Sequence, residues 1–307
     1  MNSEMAVCAN ALSKFYQDKK ALDSLSFEIE MGSLFGFIGP DGAGKTSLFR
    51  ILNSLLIPDG GTASILGFDT VKDYKQIRRI IGYMPGRFSL YQDLTVEENL
   101  KFFAGIFKTT IKENYHLIED IYRHIEPFKN RKAGKLSGGM KQKLALSCAL
   151  IHKPEVLILD EPTTGVDAVS RGEFWEMLQK LKTQNITILV STPYMDEASL
   201  CDEVALMQEG KIMQRATPER IIEAFGQTLW SVQSDKMFEL LSHLSSFPEI
   251  RLVYRSGDHI CFIPRKQSVE EKNLLAYLEN LGHQSVKLKQ IKPTIEDSFI
   301  YQMQTQN

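Results

Sequence analysis

The run Gly39-Pro40-Asp41-Gly42-Ala43-Gly44-Lys45-Thr46-Ser47 holds the residue types that bind a polyphosphate. Its spacing is the full P-loop pattern. Glycines let successive backbone N–H groups turn inward onto phosphate oxygens. A helix that starts there adds its positive N-terminal end. Lys45 would place an ammonium near the β and γ phosphates, and the Thr46 hydroxyl can ligate Mg²⁺.

A second chemical cluster is Val156-Leu157-Ile158-Leu159-Asp160-Glu161-Pro162. The continuous apolar run suits a central strand of a parallel sheet. Ligands in such sheets lie at the carboxyl ends of the strands. That places Asp160 to hold Mg²⁺ through water, and Glu161 to accept a proton from an attacking water. A third cluster, Leu136-Ser137-Gly138-Gly139, leads into an apolar helical run. A serine and two glycines at a helix start can bind an anion, or can simply cap the helix. Both readings stay open. Tyr16, beside a polar turn, can stack on an adenine ring or pack on a sheet.

Elements must position these residues. Leu34–Ile38 reads as a buried strand before the P-loop, and Ser47–Leu56 as an apolar-faced helix after it. Ala6–Leu12 and Leu22–Ile29 read as strands joined at Gln17-Asp18-Lys19-Lys20. Thr62–Leu66 and Ile80–Met84 are further strands. Thr95-Val96-Glu97-Glu98 is a capping box opening a helix through Phe107. Its Phe102, Phe103 and Phe107 share one face, which is expected to pack in the core. A second helix is expected from Tyr115 to Ile125. After Asp167 come a helix (170–182), a buried strand (186–190), a helix (195–200), strands at 204–208 and 211–214, and a short helix at Thr217-Pro218-Glu219. The alternation predicts an α/β fold with a mainly parallel sheet.

Residues 226–307 read as βαββαβα, a small ferredoxin-like α+β domain. Ser268-Val269-Glu270-Glu271 is expected to be a capping box. His243, His259 and His283 are too dispersed in sequence to argue a metal site.

Acidic residues number 38 and basic residues 36 among 307, a net charge of -2. That balance argues against a general nucleic-acid or anionic-membrane binder. The four cysteines have no CxxC spacing, which suggests a reducing compartment. No apolar run approaches the roughly 20 residues of a spanning helix. The expectation is a cytoplasmic chain with no direct membrane insertion.

Taken together, the P-loop, the Ser137-Gly138-Gly139 signature, the Asp160-Glu161 strand end and the Asp167 loop resemble the ATP-binding subunits of ABC transporters. The resemblance covers about residues 5 to 225. The run from Pro162 to Trp175 and the tail around Pro293-Thr294-Ile295-Glu296-Asp297 look like ABC-2 type exporters, multidrug and antibiotic efflux ATPases among them. The resemblance implies a P-loop NTPase domain over 1–225, with a RecA-like core, an antiparallel β subdomain and a helical signature subdomain. Residues 226–307 would be an accessory domain. It implies ATP and Mg²⁺ as ligands, with Tyr16 as the adenine-stacking aromatic. It also implies a second cassette, in a homo- or heterodimer, with each ATP between Lys45 of one chain and Ser137–Gly139 of the other. A separate multi-span membrane permease would be the driven partner, at the inner face of the cell membrane. Two positions depart from the pattern. Gly86 stands where the family has a Gln at Mg²⁺ and the attacking water. Pro193 stands where it has a His at the γ-phosphate. Neither has a side-chain donor or acceptor. Gln92 lies six residues late for the first role.

Overall fold

The computed structural model describes residues 4–266 and 269–305. In chain order it opens with a long hairpin, β1 (Met5–Tyr16) and β2 (Lys19–Glu30), then β3 (Leu34–Ile38) and α1 (Lys45–Leu52). β4 (Gly60–Ile65), β5 (Phe68–Asp69), α2 (Tyr74–Ile80) and β6 (Ile81–Met84) follow. Three helices, α3 (Val96–Ile106), α4 (Ile111–Tyr122) and α5 (Gly138–Leu150), precede β7 (Val156–Asp160). Next come α6 (Ala168–Lys182), β8 (Thr187–Thr192), β9 (Glu203–Gln208), β10 (Lys211–Ala216) and α7 (Pro218–Glu223). The remainder is β11 (Leu229–Gln233), α8 (Met237–Ser245), β12 (Ile250–Ser256), β13 (His259–Pro264), α9 (Glu271–Asn280), β14 (Lys287–Ile291) and α10 (Ile295–Thr305).

The chain divides into two units, Met1–Pro218 and Glu219–Asn307. Most of helix α7, assigned by the sequence to the first domain, falls in the second.

The first unit holds two sheets. The antiparallel one runs β2-β1-β4-β5, and the other runs β10-β9-β3-β8-β7-β6. In the second sheet β3 pairs in parallel with β8 and β9, and β7 in parallel with β6 and β8; only β10 is antiparallel to its neighbour. β3, β7 and β8 are buried at every residue, which is why their middles read as apolar runs. The core under them is aromatic: Phe37 meets Phe27 and Phe49 edge-on, with centroids 5.2 and 5.6 Å apart.

Several expectations shift. α1 begins at Lys45, two residues early, because Gly44 takes the left-handed φ of 105° that lets the helix start there. It stops at Leu52, where the Asn53 side chain donates to the Phe49 carbonyl at 2.7 Å. Helix α2, directly ahead of β6, was not legible: only Ile77 in it is buried. The 195–200 segment is a 3₁₀ helix. The capping box at Thr95 forms in full, with Thr95 Oγ1 accepting from the Glu98 N–H and Glu98 accepting from the Thr95 N–H. The phenylalanine stripe, however, is not core. The buried face of α3 is Val96, Asn99, Leu100 and Ala104. Phe102 is 41% exposed, while Phe103 and Phe107 are half-buried along a groove.

The second unit is one antiparallel sheet in the order β12-β13-β11-β14. After α7 its element order is βαββαβ with a closing helix, as the sequence reads. Leu240, Leu244, Leu274 and Leu278 from α8 and α9 pack on Trp230, Ile260 and Phe262. The expected cap at Ser268 lies outside the described residues. His243 and His283 are not dispersed in space: His243 Nδ1 and His283 Nε2 are 2.8 Å apart. Residues that are 40 apart in sequence meet because Ser234 and Asp235, just ahead of α8, bond to His283 and Gln284, just after α9. Among the described residues no group of three or more His, Cys, Asp or Glu could hold a metal.

Candidate functional site

The carboxyl ends of β3, β7 and β8 converge on one place. Gly39 leaves β3 so close to β9 that a Cβ would strike the Met207 carbonyl oxygen. Its N–H donates to the Thr192 carbonyl at the end of β8, at 3.3 Å. Gly42 has a φ of 81°. α1 then starts with no side-chain cap on its first turn, and with no acidic residue there. Its leading amides are therefore left to an external acceptor.

Lys45 is 3% exposed. Its ammonium donates to the Gly39 and Pro40 carbonyls at 2.7 and 3.1 Å and lies 3.3 Å from Glu161 Oε1. Thr46 Oγ1 donates to Asp160 Oδ1 at 3.3 Å. Asp160 ends β7 and is 2% exposed. Glu161 follows at a φ of 49°, the left-handed region, so its backbone is held by its surroundings. Tyr83, on the neighbouring strand, has its phenol pushed up to about 12, first by burial and then by the charge of Asp160.

Of these, Lys45, Thr46 and Glu161 face a cavity of about 200 Å³ that also touches Tyr16, Ser47 and Lys19. Tyr16 is 43% exposed at its mouth, with its hydroxyl 3.5 Å from Ser47 Oγ. Asp41 is exposed on the loop, and Ala43 is buried beneath it.

The remaining predicted residues gather elsewhere. Ser137 caps α5, its Oγ accepting from the Met140 N–H at 3.3 Å. Asp167 caps α6 in the same way, accepting from Ser170 N–H at 3.0 Å. That hydrogen bond is the main reason its carboxyl is held below the usual range. Gly138 and Gly139 pack on the Gly165–Ser170 segment, away from the Lys45 cavity. The structure thus sorts the candidates into two groups: the P-loop with Asp160 and Glu161, and Ser137–Gly139 with Asp167.

The two departures lie at strand exits next to the Asp160-Glu161 strand and β8. A Cβ on Gly86 would lie 3.1 Å from the Asp160 carbonyl and 3.8 Å from Glu161 Cβ. Pro193 directly follows β8. Gln92 is exposed, its carbonyl accepting from Gly134 N–H at 2.9 Å, and it does not line the cavity. Sequence reasoning passed over Ser191, which is fully buried and touches both Asp160 and Glu161. Its signal was available: a polar pair, Ser191-Thr192, closing an apolar run at a carboxyl end.

A parallel sheet whose central strand feeds a glycine loop and an uncapped helix, with an Asp-Glu strand end beside it, defines a P-loop nucleotide-binding domain. The model of the ABC transporter family matches residues 22–164. Similarity extends further. The chain is 37% identical over 306 residues to the probable multidrug ABC transporter ATP-binding protein YbhF of Escherichia coli K12, covering 97% of this chain and 52% of that protein. It therefore spans about half the length of that relative. It is 36% identical over 264 residues to the Nod factor export ATP-binding protein I of Burkholderia thailandensis, covering 84% and 86% of the two chains. Among solved structures it resembles CbiO1 from Clostridium perfringens, part of the ABC transporter complex CbiONQ (TM-score 0.64, 26% identity, 72% and 91% covered). It also resembles the dimeric post-hydrolysis cassette MJ0796 bound to ADP and Pi (TM-score 0.62, 25% identity, 69% and 98% covered). The chain belongs to the ABC transporter family and carries its ATP-binding, ATPase domain. No helix among the described residues is long and apolar enough to cross a membrane.

Proposed function

We propose that the chain is the ATP-driven subunit of an ABC-2 type exporter and binds ATP with Mg²⁺ in the cavity at Lys45. One observation carries this reading. Among the described residues, the buried Lys45 ammonium has the Gly39 and Pro40 carbonyls and Glu161 as partners, beside uncapped amides and the Thr46–Asp160 pair. An incoming γ-phosphate would compete for that ammonium. Thr46 Oγ1 and Asp160 fit a hard cation, since both offer oxygen and lie together. Mg²⁺, when bound, would neutralise phosphate charge there. Glu161 would take the proton of an attacking water. Tyr16 would stack on adenine at the mouth.

Ser137–Gly139 and Asp167 lie away from this cavity, which fits a role toward the nucleotide of a second cassette, identical or not. ATP held between two cassettes would bring them together, and its hydrolysis would release them. A groove of about 310 Å³ lined by Leu55, Leu90, Phe103 and Phe107 suits an apolar segment of a separate membrane permease. That partnership would place the chain at the inner face of the cell membrane. The second unit, which we read as ferredoxin-like, would serve dimer contacts or regulation.

A second reading is a hydrolysis-impaired clamp in an asymmetric pair, lending its signature to a more active partner. Gly86 and Pro193 favour it. Each missing donor costs about 10²-fold in rate. Under both readings the chain binds MgATP. Titration of the purified chain should show saturation below millimolar MgATP, and Lys45→Ala should lower affinity by about 10²-fold. No occupancy at millimolar ligand, or an unchanged Lys45→Ala titration, overturns the proposal.

A further inference from the structure

Resting on the reading that MgATP occupies this cavity, we infer that Ser191 is a positioning residue that sets the rotation of the Asp160 carboxylate and the backbone of Glu161 together. β7 and β8 run in parallel with Asp160 and Ser191 as register partners. Their side chains therefore leave the sheet on the same side. Ser191 Oγ donates to Asp160 Oδ1 at 2.6 Å. The same oxygen accepts the Glu161 N–H at 3.0 Å, which also reaches the Ser191 carbonyl at 3.0 Å. One hydroxyl thus bridges the two acids, as donor to one and acceptor for the other.

Alternative holders are weaker. The other hydroxyl on Asp160 Oδ1 is Thr46, at 3.3 Å, and Thr46 is itself proposed to face the cation. The Ser191 bond is short and charge-assisted, and it lies in a site where Ser191 is 0% exposed. Glu161 adds a reason of its own. Its left-handed φ of 49° is costly for a side-chain-bearing residue, and the bonds from its N–H to Ser191 hold it there. Without the hydroxyl the Asp160 carboxylate turns more freely, and the cation's water loses a preset acceptor.

The test compares ATP binding with Mg²⁺ against ATP binding in EDTA, by calorimetric titration of the full chain. The Mg²⁺-free affinity depends on the P-loop and on a folded protein, so it controls for damage to the fold. In wild type, Mg²⁺ should tighten binding. Ser191→Ala should keep the Mg²⁺-free affinity and lose about tenfold of that enhancement. Ser191→Thr, which restores the hydroxyl, should recover most of it. An unchanged Mg²⁺ enhancement in Ser191→Ala overturns the inference, and so does Ser191→Thr behaving like Ser191→Ala. Absence of any Mg²⁺ enhancement in wild type instead overturns the underlying MgATP reading.

Discussion

Both units bury polar side chains at the ends of strands, yet they use them differently. In the second unit two clusters of them bond among themselves. Ser234 Oγ, His283 and His243 form a chain with both links at 2.8 Å. Tyr254 donates to Asp297 Oδ1 at 2.6 Å, while Asp297 Oδ2 accepts from the N–H and hydroxyl of Thr294, both at 2.7 Å. Burial, and then that bond to Asp297, drives the Tyr254 phenol far up, so it stays protonated as a donor. This network is closed. In the first unit the network is open: α1 has no cap, and Lys45 rests on carbonyls beside a cavity. The contrast teaches that a buried polar cluster set beside uncapped helix amides and a cavity marks a ligand site, while one whose members bond to each other holds the fold.

That contrast can be broken in three ways. The largest effect is expected at Glu161. Glu161→Gln should lower whatever steady-state ATP turnover the chain has by about 10³-fold while leaving MgATP affinity within a few-fold. Turnover that survives the change would place the proton acceptor elsewhere. Next, Gly86→Gln combined with Pro193→His should raise turnover by about tenfold, short of the about 10²-fold that one well-placed donor supplies. The shortfall has a cause: the new Cβ at position 86 lies 3.1 Å from the Asp160 carbonyl, so the neighbour must yield slightly. A double variant no faster than wild type would show that those two strand exits do not limit the chemistry.

The smallest effect belongs to the closed network. Burial first, and then the charge of His243, push His283 below its ordinary 6.5. Asp235 and Glu239 pull the other way, and Lys236 adds to the depression. A histidine depressed on folding costs nothing above its unfolded value, and stability drains as pH falls through and below it. The thermal midpoint of the second unit should therefore decline below about pH 6.5. His283→Asn should flatten that slope. A scan that is flat in wild type, or a loss of MgATP affinity in His283→Asn, would mean the network is not the self-contained structure described.

Much of the first unit was legible because its chemistry is local. The P-loop, the Asp160-Glu161 strand end and the Thr95 capping box each declare themselves within a few residues, and the apolar runs of β3, β7 and β8 mark strands buried on both faces. What was missed depends on long-range packing. Nothing near Phe102 or Phe107 says that Val96, Leu100 and Ala104 form the inward face of α3. Ser191 becomes informative only when β8 is laid beside β7, and His243 only when α8 meets the turn after α9. Helix α2 escaped because a single buried residue, Ile77, cannot set a period.

One tight contact has a mechanical corollary. A methyl on Gly139 would sit 2.7 Å from Ser170 Oγ, so the starts of α5 and α6 abut with no slack between them. Ser137 and Asp167, the caps of those two helices, are therefore expected to shift together. A displacement of the Asp167 turn would then be felt by a neighbour seated against that serine.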